Sequence, residues 1–152
     1  MSAVFVDTNI LVYAHDRDAG LRHKKARELV HHLWMDKSLP YVSIQVLQEL
    51  FVNLIRKQVP VELVCEVVED YLQWNVIDNT AAILKRGMDI HARFRLSFWD
   101  ALIVAAAEKS GASELWSEDL QTGAKIAGIR IVNPLNPTRS DGNNPYRPDN
   151  VH

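Results

Sequence analysis

The sequence is poor in cysteine, with Cys65 as the one example in 152 residues. A single cysteine excludes an internal disulfide and a zinc cluster built on cysteines, and it suits a reducing compartment. Long apolar runs are also missing, since no stretch approaches the ~20 apolar residues of a membrane span. The first residues lack the basic leader of a secretory signal, and Asp7 interrupts their apolar run. We therefore expect a cytoplasmic protein with no membrane attachment.

A strong net charge and a glycine-rich phosphate loop are absent as well. The formal net charge of −2 gives no overall attraction to nucleic acid, although basic residues can still cluster locally. Without a glycine-rich loop, nucleotide binding of the P-loop or dinucleotide type has no support. The hydrophobic share of 47% and the charged share of 24% are near globular averages, which excludes a chain disordered throughout. The length suits one domain with a single core.

Two carboxylates directly follow strand-like segments. Apolar residues 3–6 run into Asp7, and residues 114–117 form a second strand that delivers Glu118 and Asp119. Short strands alternating with helices predict an α/β fold, with a parallel sheet and helices on both faces. Ligands of such sheets bind outside the carboxyl ends of the strands, so Asp7 and Asp119 are site candidates. The alternative for Asp7 is that it, or Thr8 or Asn9, only caps the following helix.

Asp100 interrupts an otherwise apolar helical segment. Every residue from Phe98 to Ala107 is apolar except this one, and a helix that is apolar on all sides is expected to be buried. A lone buried carboxylate is costly unless it is paired or bound to a metal. Ser97 and Asp100 also have the spacing of a capping box, which is a structural alternative and can coexist with a metal role.

Glu49 looks ordinary by helical periodicity. The helix predicted after Ser43 has its main apolar stripe elsewhere, and Glu49 lies on the side of Val46 and Asn53. Taken alone, this pattern indicates a surface glutamate. The other acids, however, are expected to meet at one sheet edge, where they repel one another unless a divalent cation is present. Oxygen ligands favour Mg²⁺ or Mn²⁺, and such a site usually performs hydrolysis at a phosphate.

Positive charge concentrates at the end of a helix predicted from residue 81 to about residue 94. The helix dipole explains part of this, because it favours cations at a C-terminus. The basic side chains of this helix are also candidates for binding phosphates, and they are Lys85, Arg86, Arg93 and Arg95. A second basic group on the helix near residues 21–36 is most simply a solvated face.

The chain divides into a domain of residues 1–134 and a polar segment of residues 135–152. Proline, asparagine, aspartate, glycine and arginine dominate the segment. This composition predicts a mobile C-terminal tail. Tyr146 and Arg147 are the tail residues that could contact a partner.

Four acidic segments, in order and spacing, resemble the motifs of PIN-domain ribonucleases, particularly VapC-type toxins of bacterial toxin–antitoxin pairs. The resemblance covers nearly everything up to Pro134. The four segments are Val6-Asp7-Thr8-Asn9, Val46-Leu47-Gln48-Glu49-Leu50, Phe98-Trp99-Asp100-Ala101-Leu102 and Ser117-Glu118-Asp119.

The resemblance implies a five-stranded parallel sheet in a three-layer α/β/α sandwich, and cleavage of RNA with Mg²⁺ or Mn²⁺. It further implies a small antitoxin as partner, and a homodimer. Asn9 and Ser117 would support the metal or the scissile phosphate, although the family commonly has threonine where Ser117 stands. The basic residues of the helix near residue 90 become candidates for RNA contact. The implied catalytic, metal-binding acids are Asp7, Glu49, Asp100 and Asp119.

Two other functions stay open at this point. One is a PIN-like interaction module without activity, although a pure scaffold has no physical reason to gather repelling carboxylates. The other is a phosphohydrolase of the haloacid-dehalogenase type, which also begins with an aspartate at a strand end. That class needs a second aspartate two residues later, and Asn9 occupies this place.

Overall fold

The computed structural model describes residues 3–136 of the chain, with six strands, six α-helices and one short 3₁₀-helix in that range. The prediction of a mobile tail, with Tyr146 and Arg147, falls almost entirely outside these residues. The elements in chain order are β1 (Val4–Val6), α1 (Thr8–His15), the 3₁₀-helix (Arg17–Ala19), α2 (Leu21–Met35), β2 (Tyr41–Ser43), α3 (Ile44–Arg56), α4 (Val61–Tyr71), β3 (Asn75–Ile77), α5 (Ala81–Phe94), α6 (Phe98–Ser110), β4 (Glu114–Trp116), β5 (Lys125–Ile126) and β6 (Ile129–Val132).

The sheet has the strand order β3-β2-β1-β4-β6-β5. Strands β3, β2, β1, β4 and β6 are parallel to one another, and β5 runs antiparallel to β6. The predicted α/β fold with a five-stranded parallel sheet is therefore confirmed, with β5 as a short additional strand. Ala127 and Gly128 both have positive φ angles, of 52° and 81°, which is the backbone that a two-residue hairpin turn requires.

Side-chain caps fix where three helices begin. Ser43 accepts from the amide of Val46 at 3.2 Å, Thr80 caps α5, and Ser97 caps α6. Each cap satisfies an amide that would otherwise lack a partner in the first turn. Because β2 ends at the cap of α3, residues on the first turns of α3 lie at the carboxyl edge of the sheet.

The core contains the central strands and one face of most helices. Phe5, Val42, Leu115 and Ile131 are fully buried in four neighbouring strands. Helices α5 and α6 approach closely at Gly87, where an added Cβ would lie 2.5 Å from the side chain of Leu102. In the part of the chain that the structure describes, no helix combines the length and apolarity needed to cross a membrane.

Candidate active site

Asp7 lies between β1 and α1, at the carboxyl edge of the sheet. One carboxylate oxygen accepts from the amide of Thr8 at 2.7 Å, and the other accepts from the Ser117 hydroxyl at 2.8 Å. The residue is only 4% exposed. The pKa of Asp7 is raised to about 7, chiefly by burial and also by the charges of Asp119 and Glu49, while the two hydrogen bonds oppose the shift. The capping alternative is thus also true, because Asp7 caps α1.

Ser117 connects Asp7 to Asp119. It follows β4 and is fully buried. Its hydroxyl donates to Asp7 and accepts from the amides of Asp119 at 3.2 Å and Leu120 at 3.3 Å. One hydroxyl therefore holds both the carboxylate that follows β1 and the turn that carries the second acid.

Asp119 lies beside Asn9 of the first turn of α1. The Asn9 amide donates to its carboxylate at 2.6 Å. Partial burial raises the pKa of Asp119, and so do the charges of Asp100, Glu118 and Glu49, whereas Asn9 lowers it. The three charges show that the carboxylates lie close enough to influence one another.

Glu49 belongs to this group, so the surface position indicated by periodicity alone is wrong. Thr8 donates its hydroxyl to Glu49 at 2.6 Å, and the Gln45 amide lies 3.4 Å from the other carboxylate oxygen. The physical reason is that Val46 is itself fully buried. The side of α3 that carries Val46 and Glu49 therefore faces α1 and the sheet edge, and not the solvent.

Asp100 is half-buried in the first turn of α6. The expectation of a carboxylate inside the core is therefore wrong, because α6 buries residues from Ala101 onward while its first turn lies nearer the surface. The Ser97 half of the capping box is present, since the Ser97 hydroxyl accepts from the amide of Asp100 at 3.1 Å. The charge of Asp100 still raises the pKa of Asp119, so the two acids are neighbours.

Thr8 and Gln45 also belong to the site, although the sequence motifs did not indicate them. Thr8 is buried and links Asp7 to Glu49. Gln45 is 9% exposed and bonds both Glu49 and the backbone carbonyl of Trp99. The only signal was position, since both residues lie in the first turn of a helix that directly follows a strand.

The donor set fits a hard divalent cation. The four acids offer only oxygen atoms, and Asp7 and Asp119 each have a pKa raised in part by neighbouring carboxylates. Within residues 3–136, no three His, Cys, Asp or Glu side chains form a ready-made metal group. Mg²⁺ does not need one, because it keeps several waters and is usually held by one or two carboxylates. Asp7, Asp119 and their two acidic neighbours are therefore chemically suited to Mg²⁺ or Mn²⁺.

The four basic candidates differ in their surroundings. Arg86 donates two hydrogen bonds to Glu108, at 2.7 and 2.9 Å, and also pairs with Asp89. Arg93 donates to Asp89 at 3.0 Å. Both arginines therefore form ion pairs with acids on α5 or α6. Lys85 and Arg95 are exposed, so their side chains are open to solvent.

A second group of titratable side chains lies at the other end of α1. His15 bonds the hydroxyl of Tyr71 at 2.8 Å, and burial lowers the pKa of His15. These residues line a cavity of about 440 Å³ between the α1–α2 and α3–α4 pairs. Arg27, His31 and Trp34 from α2 line the same cavity. This group shares no residue with the carboxylate site.

Comparisons with known proteins identify the family and the fold. A family model described as PIN domain matches residues 4–125. No curated protein matches the sequence.

Similar folds occur in solved structures of toxins and toxin–antitoxin complexes. VapC20 from Mycobacterium tuberculosis, a sarcin-ricin loop cleaving toxin, is 21% identical with a TM-score of 0.64, over 77% of this chain and 90% of that chain. A toxin–antitoxin complex from Klebsiella pneumoniae is 24% identical with a TM-score of 0.63, over 88% and 98%. A DNA-bound VapBC from Salmonella typhimurium is 20% identical with a TM-score of 0.64, over 86% and 97%. At these identities the likeness shows the fold.

Proposed function

Because the chain belongs to the PIN-domain family, we propose that it is a divalent-metal-dependent endoribonuclease, and the toxin of a bacterial toxin–antitoxin pair. The observation that carries the proposal is the group of acids at the carboxyl edge, centred on a buried Asp7 whose pKa is raised to about 7. A scaffold gains nothing from gathering carboxylates, whereas a metal-dependent hydrolase needs them. The similar folds of VapC proteins support the toxin role.

In this proposal Asp7, Glu49, Asp100 and Asp119 are the metal-binding acids. When bound, the ion would acidify a water molecule and neutralise charge that develops on the phosphoryl oxygens. Ser117 and the Thr8 amide hold the two oxygens of Asp7 in place. Asn9 orients Asp119 in the same way. Because Asp7 holds a proton up to about pH 7, a cation must displace that proton, and its binding should weaken as the pH falls below 7.

The test is cleavage of RNA by the purified full-length chain. We expect labelled RNA to be cut with Mg²⁺ or Mn²⁺ and to stay intact with EDTA. Asp100→Asn should abolish cleavage, because it removes a charge from the metal site. Asp18→Asn is the matched control, since Asp18 is exposed in the 3₁₀-helix at the other end of α1.

Two results would count against the nuclease. Intact RNA with either metal across a panel of structured and single-stranded substrates would contradict it. So would equal cleavage by wild type and Asp100→Asn, since that would point to a contaminant. A chain that binds partners but no metal would instead favour the interaction module without activity. Isothermal titration with Mn²⁺ distinguishes these cases, because a nuclease site should lose metal binding in Asp100→Asn.

The partner in this proposal is a small antitoxin, and the site of action is the cytoplasm. The complexes with similar folds support the antitoxin, because they contain toxin and antitoxin together. Expression of the chain alone should slow bacterial growth, and co-expression of the cognate antitoxin should restore it. Unchanged growth with abundant folded protein would contradict the toxin role.

A homodimer is the remaining partner in the proposal. Helix α5 exposes Leu84 and Met88, four residues apart on one face, and such apolar side chains are suited to burial between two copies. Light scattering on the purified chain should give the mass of a dimer. The mass of a monomer at micromolar concentration would contradict this part of the proposal.

A further inference from the structure

Trp99 is an unusually exposed aromatic residue beside the carboxylate site. It is 63% exposed, whereas Trp74 and Trp116 are 4% and 1% exposed and Trp34 is half-buried. Tryptophan is highly buried on average in folded proteins, because its indole carries a large apolar surface. An exposed indole at a candidate active site is therefore a candidate for contact with a ligand.

The backbone of Trp99 is held firmly, although its ring is open to solvent. Its carbonyl accepts from the Gln45 amide at 3.1 Å, and Gln45 also contacts Glu49. The next residue, Asp100, donates its amide to Ser97 at 3.1 Å. The first turn of α6 is thus fixed to α3 and to its own cap. The indole is presented from a rigid position, one residue away from a proposed metal ligand.

The surroundings of the ring suit a flat partner. Phe98 packs against Trp99 with a centroid distance of 5.2 Å and an interplanar angle of 68°. This edge-to-face contact restrains the indole, while its high exposure leaves apolar surface uncovered. The Gln45 amide that bonds the carbonyl of Trp99 also bonds Glu49, so the backbone of Trp99 lies one side chain away from a proposed metal ligand.

One exposed cation lies close to Trp99 in the chain, and it suits a nucleotide better than an apolar partner. The turn between α5 and α6 carries Arg95, which is exposed and closes α5 in a left-handed conformation. Cations hold a phosphate backbone, while an aromatic ring nearby stacks on a base, and this combination is typical of proteins that bind single-stranded nucleic acid.

We propose that Trp99 is a stacking platform that positions an unpaired base of the RNA substrate beside the scissile phosphate. The inference rests on the proposed function and adds to it a residue that positions the substrate. Every base has a flat face, so the contact tolerates any sequence but rejects a duplex, whose bases are stacked on each other. Trp99 is in this view a positioning residue and takes no part in proton transfer or metal binding.

The experiment measures RNA binding without cleavage. All variants are made in an Asp7→Asn background, and the probes are a ten-nucleotide oligoadenylate, the same oligomer with one abasic site placed at each position in turn, and a ten-base-pair RNA duplex. Stacking energies per base correspond to a loss of affinity between about 5-fold and 150-fold in Trp99→Ala. Trp99→Phe should recover most of the affinity.

The matched control is Met35→Ala. Met35 is 72% exposed at the end of α2, before β2, and so at the opposite edge of the sheet. It should bind oligoadenylate like its parent. One abasic position should weaken binding to the Trp99 protein and leave binding to Trp99→Ala unchanged. In the cleavage-competent chain, Trp99→Ala should raise KM for single-stranded RNA while Mn²⁺ affinity and the melting temperature stay constant.

Three outcomes would overturn the inference. The first is equal affinity of Trp99→Ala and its parent for oligoadenylate. The second is an equal loss for the duplex and the single strand, which would indicate a contact with the backbone alone. The third is a lower molecular mass of Trp99→Ala in light scattering with unchanged RNA affinity, which would assign the indole to an interface between copies. RNA binding that depends on Trp99 but leads to no cleavage would refute the nuclease and leave the stacking contact intact.

Discussion

The two ends of α1 carry titratable groups of opposite chemistry. Asp7, Thr8 and Asn9 at its N-terminal end join the acidic site, and His15 at its C-terminal end lines the cavity with Tyr71. The eight residues of the helix separate the two ends by about 11 Å. Burial drives both groups toward their neutral forms, since it raises the pKa of Asp7 and lowers the pKa of His15.

The difference lies in what surrounds each group. Asp7 is close to further carboxylates, whose charges raise its pKa still more. His15 is close to His23, which lowers its pKa, and to Asp70, which raises it. The Tyr71 hydroxyl is the hydrogen-bond partner of the His15 imidazole. At the acidic end the carboxylates repel one another, and a bound cation would relieve this repulsion. At the other end His15 has its hydrogen-bond partner within the protein.

The largest effect should come from Asp7→Asn, which removes the carboxylate charge at the N-terminal end of α1. The amide has the same shape but carries no charge, so a metal loses its most buried ligand. Several kcal/mol of transition-state stabilisation correspond to a fall in cleavage rate of about 1000-fold or more. Asp18→Asn is again the control, because Asp18 is exposed in the 3₁₀-helix at the other end of α1. A rate within threefold of wild type for Asp7→Asn would remove Asp7 from the mechanism.

The second prediction concerns the pH dependence of stability without metal. The pKa of Asp7 is about 7 in the folded chain, against 3.8 for an ordinary aspartate, so the unfolded chain releases this proton first as the pH rises. The free energy of unfolding should therefore fall between pH 4 and pH 7, by at most about 4 kcal/mol. His15 contributes the opposite slope, because its lowered pKa costs stability on acidification.

Urea unfolding of the wild type and Asp7→Asn at several pH values separates these two terms. The difference between the curves should grow from pH 4 to pH 7 and then stay constant, and Mn²⁺ should reduce it. A difference that does not change with pH would mean that Asp7 is ionised throughout this range.

Ser117→Ala should have the next largest effect. It removes the hydroxyl that donates to Asp7 and accepts from two amides, so buried polar groups lose their partner. We expect a loss of about 1–3 kcal/mol in the free energy of unfolding. Cleavage should fall about 10-fold to 100-fold, as for other residues that orient metal ligands. Ser113→Ala is the control, since the exposed Ser113 hydroxyl makes only a long hydrogen bond of 3.4 Å to the Ala3 carbonyl, and its stability should stay close to that of the wild type.

The smallest effect should follow from Tyr71→Phe, at the histidine end. The substitution removes the hydroxyl bonded to His15 and keeps the ring that packs against Trp34 and Trp74. We expect a loss of about 1 kcal/mol in thermal or urea unfolding. The rate of RNA cleavage should not change. A loss of cleavage in this folded variant would show that the two ends of α1 are coupled and do not act independently.

Local pattern was sufficient for most of the fold. The helix from residue 81 to residue 94 was predicted with the bounds that α5 has, because a capping threonine and apolar spacing mark it. The strand β5 was missed, since two residues are too short to show an alternating pattern. Asp7 and Asp119 were placed correctly at one edge because each lies within three residues of the end of a parallel strand.

Other placements depended on which elements touch. Glu49 resembles a surface residue by periodicity, and only the packing of α3 against α1 brings it to Thr8. Arg86 resembles a free cation in the sequence, and only the packing of α5 on α6 pairs it with Glu108. Apart from their position in the first turn of a helix after a strand, nothing in the linear pattern marks Thr8 or Gln45, since their role is to bridge side chains from different elements.

The sequence alone determined the class of fold, the edge at which the chemistry lies and the acids that follow its strands, because strand ends and caps are properties of neighbouring residues. The tertiary structure decided which side chains hold those acids, how strongly burial shifts the pKa of Asp7, and that Trp99 stays exposed beside them. These depend on contacts between residues as far apart as Asp7 and Ser117, which are 110 positions apart in the chain. Hydrogen bonds, burial and charge act through space, so only the folded chain defines them.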